Sequence, residues 1–153
     1  MTNSNVNQVD EKKQNLTLFQ LINAAQSWFE TALIPYLQKH GGKNLGYADL
    51  KLLANLDCGT TYASELARRM GVSRQAVNKL INNLVEAGLV RLEAVPGKRN
   101  TKWIVITESG RETIMDIVAE LNRMESLLEG RVGAEQMTVL RTALEADWGP
   151  AQL

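Results

Sequence analysis

The sequence predicts a mainly α-helical chain with one small β-hairpin, and three observations carry that expectation. Apolar residues return at the i, i+3, i+4, i+7 spacing of an amphipathic helix through most of the 153 residues. One stretch alone, residues 89 to 107, changes to the alternation and β-branched character of paired strands around a Pro96-Gly97 turn. Finally, the formal net charge of zero conceals a strong segregation of charge along the chain.

The elements follow in order. The polar start MTNSNVNQ, with little to bury, marks residues 1–15 as a disordered tail. Leu16, Phe19, Ile22, Ala25, Phe29, Leu33 and Tyr36 then keep helical spacing up to the Gly41-Gly42 stop, and Leu18, Leu21, Trp28 and Leu37 widen the apolar arc until it needs more than one partner surface. Pro35 should kink this helix near its end. A shorter helix is expected from Tyr47 to Leu56, then a loop at Cys58-Gly59-Thr60, with Thr60 or Thr61 capping the next helix.

That helix carries Ala63, Leu66, Ala67 and Met70 on one face and turns Arg68 and Arg69 outward. Gly71 suits the left-handed exit of a tight turn, and Ser73 is placed to cap the helix that follows, with Val72 and Val77 spaced for a hydrophobic staple. Two short helices joined by a Gly-x-Ser turn make a helix-turn-helix. The second of them ends at Ala87-Gly88, and the hairpin LVRLEAV…KWIVIT with its basic tip comes next. Thr107 should cap a long helix through Arg131 with Ile114, Ile117, Val118, Leu121, Met124 and Leu128 on its buried stripe. A last helix starting at Gly133 or Ala134 carries Met137, Leu140, Leu144 and Trp148.

Composition narrows the function classes. No run of 18 apolar residues and no charged-then-apolar leader is present, which points to a soluble, cytoplasmic chain without a membrane partner. A single cysteine and a single histidine provide neither a disulfide framework nor a zinc site, and no glycine-rich phosphate loop or catalytic constellation is visible, so no enzyme, cofactor or metal is expected. Between Thr61 and Trp103, eight cations face three acids, a net +5, whereas from Ile104 onward four cations face nine acids, a net −5. A basic middle between neutral and acidic flanks is what a chain shows when only its middle touches a polyanion.

A helix-turn-helix followed by a basic hairpin is a winged helix. SELARRMGVSRQAVNKLINNLVEAGLVRLE followed by KWIVITESGRETI resembles the MarR family of bacterial transcription regulators over about residues 45 to 130. The resemblance implies an N-terminal dimerisation helix at 16–45, a winged helix-turn-helix DNA-binding domain at 46–107 and C-terminal dimerisation helices at 108–153. Family wings usually carry an Asp-x-Arg pair at the tip, in which the acid orients the arginine. Here Lys98, Arg99 and Asn100 stand there and the orienting acid is missing.

In a winged helix the second helix of the motif enters the major groove and meets base edges with its first residues. Arg74 is suited to guanine, and Gln75 and Asn78 to the bidentate edge of adenine. Lys79, Asn82 and Asn83 are placed for phosphates, as are Lys98, Arg99 and Lys102 from the wing. One reading helix covers too few base pairs for genomic specificity, so a homodimer on a palindromic operator in double-stranded DNA is expected, with the apolar arcs of the first and last helices as the dimer surface.

The resemblance further implies a small aromatic or phenolic effector bound between the dimer arms and the reading heads, with Trp28, Tyr36 and His40 as candidate lining, and hence a repressor that an effector releases. Two alternatives compete: a winged-helix protein-interaction module, and a thiol-based redox-sensing regulator acting through Cys58. The amide- and cation-rich face of the 73 to 87 helix argues against the first, because a protein-docking helix shows apolar anchors there.

Overall fold

In the computed structural model, residues 16–42, 44–56 and 60–150 are described. The elements are α1 (Leu18–Gly41), α2 (Tyr47–Ala54), β1 (Thr60–Tyr62), α3 (Ala63–Met70), α4 (Arg74–Glu86), β2 (Val90–Val95), β3 (Lys98–Ile106), α5 (Glu108–Val132) and α6 (Ala134–Glu145). The three strands form one antiparallel sheet in the order β1-β3-β2. The fold is therefore helical with a small three-stranded sheet, and its wing has one strand more than the hairpin read from the sequence.

Local chemistry sets the boundaries. Thr17 and Gln20 form a reciprocal capping box at the start of α1, and the helix continues through Pro35 to Gly41. Gly71 takes φ 64°, in the left-handed region, at the exit of α3. Ser73 caps α4 by accepting from the Ala76 amide at 3.1 Å. Thr60 and Thr61, expected to cap α3, are strand residues instead, and Tyr62 occupies the cap position without a side-chain bond. Their TTY triplet, two β-branched residues and an aromatic one, pairs with β3 in the register Thr60↔Val105, Thr61↔Ile104, Tyr62↔Trp103, which outweighs the capping tendency of threonine.

The core lies where α2, α3 and α4 meet the sheet and the second half of α1. Leu37, Leu52, Leu66, Val77, Leu84 and Leu89 are wholly buried. Removing such side chains from water supplies about 1.5–3 kcal/mol each, enough to hold the short helices, which would not persist alone.

The two ends of the chain depart from the sequence reading. Leu33 and Leu37 are buried in α1, but Phe19 at the same periodicity is 74% exposed, with Leu18 and Leu21 also exposed. Along α5, Ile117 and Met124 are buried against α1, yet Val118, expected on that stripe, is 48% exposed. Position 118 follows 117 by one residue and is rotated about 100° away from it. Helix α6 buries none of its residues, and Val139, Leu140 and Leu144 face outward.

Candidate nucleic-acid interface

The reading face is built upward from the turn between α3 and α4. Val77, Ile81 and Leu84 turn one side of α4 into the core. Their periodicity leaves Arg74, Gln75, Asn78, Lys79 and Asn82 exposed on the other side. The helix exit is fixed as firmly as its entry: at Gly88, with φ 72°, the Leu89 amide donates back to the Leu84 carbonyl at 3.0 Å.

The wing is fixed to that exit through Thr107. Its hydroxyl donates to the Gly88 carbonyl at 2.6 Å and accepts from the Gly110 amide at 3.0 Å, while its own amide donates to the Leu89 carbonyl. Gly110 is needed here because a Cβ at that position would press into the Leu89 carbonyl oxygen and stand 2.8 Å from Ile106 Cγ2. The end of β3, the turn after α4 and the start of α5 thus share one junction.

The sheet register changes at the wing tip. Ala94 pairs with Lys102 but the next residue, Val95, pairs with Lys98, so Arg99, Asn100 and Thr101 have no partner on β2. A bulge of this kind bends a strand and redirects its side chains. The outcome is a pair of adjoining clefts between wing and recognition helix. One of about 520 Å³ is lined by Asn78, Asn82, Arg99, Asn100 and Lys102, among others. Its neighbour of about 270 Å³ is lined by Tyr62, Ser64, Arg74, Asn78, Asn100 and Lys102, among others.

Electrostatics distinguishes the cations of this region. Glu65 is held below the usual carboxylate range by hydrogen bonds from Arg68 and then Arg69, and Arg91 pairs with Glu93 at 2.7 Å. Among the described residues, Arg74, Lys79, Lys98, Arg99 and Lys102 have no carboxylate partner. The net positive charge of the segment is thus concentrated on the two sides of the clefts, where field from unneutralised cations adds.

The structure brings together Arg74, Asn78, Asn82, Arg99 and Lys102 around these clefts, with Gln75 and Lys79 exposed beside them on α4. Asn83, expected to reach phosphate, does not belong to this face. Its side-chain amide donates to Asp49 Oδ1 at 3.0 Å, and Asp49, 4% exposed, also accepts from the Gly46 amide at 2.9 Å. One position past Asn82 on a helix is a 100° rotation, enough to exchange the groove for the α2 side. Asn100, named at the wing tip without a role, also lines both clefts, and Tyr62, which the sequence reading passed over, lines one of them. The signal for Tyr62 was the register of β1, a strand too short to detect by periodicity.

Two of the candidate effector residues, Tyr36 and His40, lie elsewhere, where α1 packs on α5. The Tyr36 hydroxyl donates to Glu120 Oε2 at 3.0 Å, which with burial raises its pKa above the ordinary phenol value. His40 Nε2 meets Asp116 Oδ2 at 2.8 Å. Trp28 makes an edge contact with Phe29, ring centroids 5.0 Å apart. Phe29 in turn lines an apolar groove of about 280 Å³ with Leu128, Met137, Leu140 and Leu144. Cys58 lies outside the described residues.

Comparison with known proteins agrees with this geometry. Residues 50–99 match the model of the MarR family. An uncharacterized protein of Mycobacterium tuberculosis, Rv2011c, and its counterpart Mb2034c of Mycobacterium bovis are each 32% identical over 80 residues, 52% of this chain and 56% of theirs. The chain thus spans only a little over half the length of the curated relatives it matches.

Among solved structures, a MarR-family transcriptional regulator from Rhodococcus sp. RHA1 superposes with a TM-score of 0.66 at 21% identity, covering 84% of this chain and 89% of that one. A mutant of MarR from E. coli in complex with operator DNA gives 0.67 at 19% identity, covering 84% and 91%. CouR from Rhodococcus jostii RHA1 bound to p-coumaroyl-CoA gives 0.65 at 20% identity, covering 89% and 94%.

Proposed function

We propose that this chain, whose residues 50–99 match the model of the MarR family, is a dimeric, sequence-specific DNA-binding transcriptional regulator, acting as a repressor that a small-molecule effector releases. One observation carries the reading: unneutralised cations and amides of α4 and β3 converge on the same clefts. Adjacent major and minor grooves are separated by a single phosphate strand. A helix placed in one and a wing placed over the other must therefore leave a polar, positively charged channel for that strand, and the clefts have this form.

Each residue takes a role from its position. Arg74, at the first turn of α4, pairs with guanine in the major groove, and Gln75 and Asn78 read adenine, each good bidentate contact discriminating by about 1–3 kcal/mol. Lys79 and Asn82 hold the flanking phosphates, and Lys98, Arg99 and Lys102 hold the strand from the wing side. The operator-bound E. coli MarR, which has this fold, supports the placement. The exposed apolar faces of α1 and α6 are those that a second copy of this chain would cover, putting two reading heads on a palindrome.

Release is proposed at the α1–α5 side, where Tyr36 and His40 lie, with Trp28 earlier on α1. Since Glu120 and Asp116 already engage Tyr36 and His40, an aromatic effector reaching them has to take over those hydrogen bonds, and it acts only through unequal affinity for the two states of the dimer. The p-coumaroyl-CoA complex of CouR supports an effector of this chemical kind.

The test is selection from a random double-stranded DNA pool at near-physiological salt. Enrichment of a palindrome with half-sites about one helical turn apart is the expected result. On the selected site, Arg74→Ala should lose sequence preference, whereas Lys98→Ala should weaken all sequences alike and lower the salt dependence by about one counterion. No retention of any duplex would refute the proposal in favour of a protein-interaction module.

A further inference from the structure

The wing carries its foremost lysine without a carboxylate to hold it. Among the described residues, the partner of Lys98 is the ring of Tyr62, with Nζ 5.9 Å from the ring centroid. Tyr62 is itself anchored twice. It pairs in register with Trp103 across β1 and β3, and the Trp103 indole N–H donates to the Tyr62 hydroxyl at 2.9 Å. It is also the last residue before α3, so its backbone is tied to the helix-turn-helix, while its side chain lines the cleft that holds Arg74 and Asn78.

These contacts connect parts of the sheet that its alternation alone would separate. Lys98 and Trp103 are an odd number of residues apart on β3, so an unbroken strand would send them to opposite faces. The bulge at Arg99–Thr101 changes that phase, and Lys98 comes to lie over the ring that Trp103 holds.

We propose that Tyr62 is a positioning residue for DNA binding: its ring is the platform that aims Lys98 along the phosphate channel. The inference rests on the DNA-binding reading above. A flexible lysine loses rotamer freedom each time it is held to a phosphate, and a cation held over an aromatic face before binding has lost part of that freedom already. The ring is uncharged, so it orients the ammonium without cancelling the charge that the phosphate must meet. A carboxylate in the same place would partly neutralise it.

Two measurements on the full chain separate this inference from the function it presupposes. The first needs no DNA. In a side-chain NMR spectrum, the ε-methylene protons of Lys98 should be displaced upfield by the ring current of Tyr62, and the displacement should persist in Tyr62→Phe and vanish in Tyr62→Leu. An undisplaced Lys98 in the wild-type chain overturns the positioning role, whatever the protein binds.

The second is a double-mutant cycle on a mixed-sequence duplex of about 30 base pairs. Lys98→Ala should weaken wild-type binding measurably, and its effect should shrink by about two- to five-fold in the Tyr62→Leu background, the size of an exposed cation–π contact. The Tyr62→Phe background should keep the full effect of Lys98→Ala. Equal effects of Lys98→Ala in all backgrounds overturn the proposal. So does a Phe variant that behaves like Leu, because then only the hydroxyl bond to Trp103, a strand contact, matters. A wild-type chain that shows the ring-current displacement but binds no duplex overturns the DNA-binding reading instead.

Discussion

Replacing Gly110 by alanine should damage the protein far more than its size suggests. The added methyl enters a buried site, well under 3 Å from the Leu89 carbonyl oxygen and 2.8 Å from Ile106 Cγ2. The carbonyl is backbone and cannot swing aside as a flexible side chain would. It also accepts the Thr107 amide at 3.0 Å, so relief by moving α5 outward lengthens that bond and the Thr107 bond to Gly88 together. Overpacking of this kind costs about 1–3 kcal/mol and a weakened buried hydrogen bond about 0.5–1.5 kcal/mol more. With both acting, a loss of roughly 3 kcal/mol is expected, which lowers Tm by about 6–12 °C for a domain of this size.

Gly130 provides the matched control on the same helix, since a Cβ there meets nothing within 4 Å. Gly130→Ala should therefore gain about 0.5–1 kcal/mol from helix propensity. The assay is thermal and urea unfolding of both variants at one protein concentration, which keeps any association term fixed. A Gly110→Ala chain within about 0.5 kcal/mol of wild type would refute the claim that the wing, the exit of α4 and the start of α5 are packed into a single junction. Because that junction sets the wing against α4, the same variant should also lose DNA affinity under conditions where it is still folded.

Three further outcomes follow. Asn83→Ala should destabilise the fold by about 1–3 kcal/mol, by leaving buried Asp49 short of a donor, yet leave the salt slope of DNA binding unchanged, whereas Lys79→Ala should lower that slope and spare stability; paired titrations at two or more salt concentrations distinguish them. Glu120 is held below the usual carboxylate range, first by the Arg123 hydrogen bond and also by that of Tyr36. A depressed folded pKa stabilises above the unfolded value near 4.3 and is lost as pH falls through the folded value, so wild-type Tm should drop on acidification below about pH 4.5 and the drop should be shallower in Glu120→Gln. Leu140→Glu, on the exposed apolar face of α6, should raise the dissociation constant of the proposed dimer by at least about tenfold in sedimentation equilibrium, since roughly 1 kcal/mol or more of apolar burial is forfeited per protomer; a wild-type chain that sediments as a monomer, or an unchanged constant, would refute α6 as the dimer surface.

What could be read from the sequence was whatever depends on neighbours in the chain. The Gly71 exit, the Ser73 cap and the alternation of Val77, Ile81 and Leu84 are local signals, and they place α3 and α4 without any tertiary knowledge. The Thr107 cap was likewise legible, but not its second bond to Gly88, which joins residues 19 positions apart. The same division applies to the interface. Arg74, Gln75, Asn78, Lys79 and Asn82 follow from helix phase alone. Asn83 was misplaced because its partner Asp49 lies 34 positions earlier, and nothing in either local stretch reveals the pairing.

The ends of the chain fail for a different reason. Periodicity reports which side of a helix is apolar but not what covers it, so Phe29 and Leu33 beside α5 and Phe19 and Leu140 in the open carry the same signal. If a second copy covers the latter two, the sequence recorded the assembled surface faithfully, and it is the isolated chain that leaves it uncovered. The wing shows the limit from the other side. A three-residue strand and a bulge leave almost no periodic trace, yet together they decide where Lys98, Arg99 and Asn100 stand, and hence whether the loss of a wing-tip acid matters. Tyr62, whose chain neighbours give it no distinction, becomes informative only once β1 is seen to pair with β3.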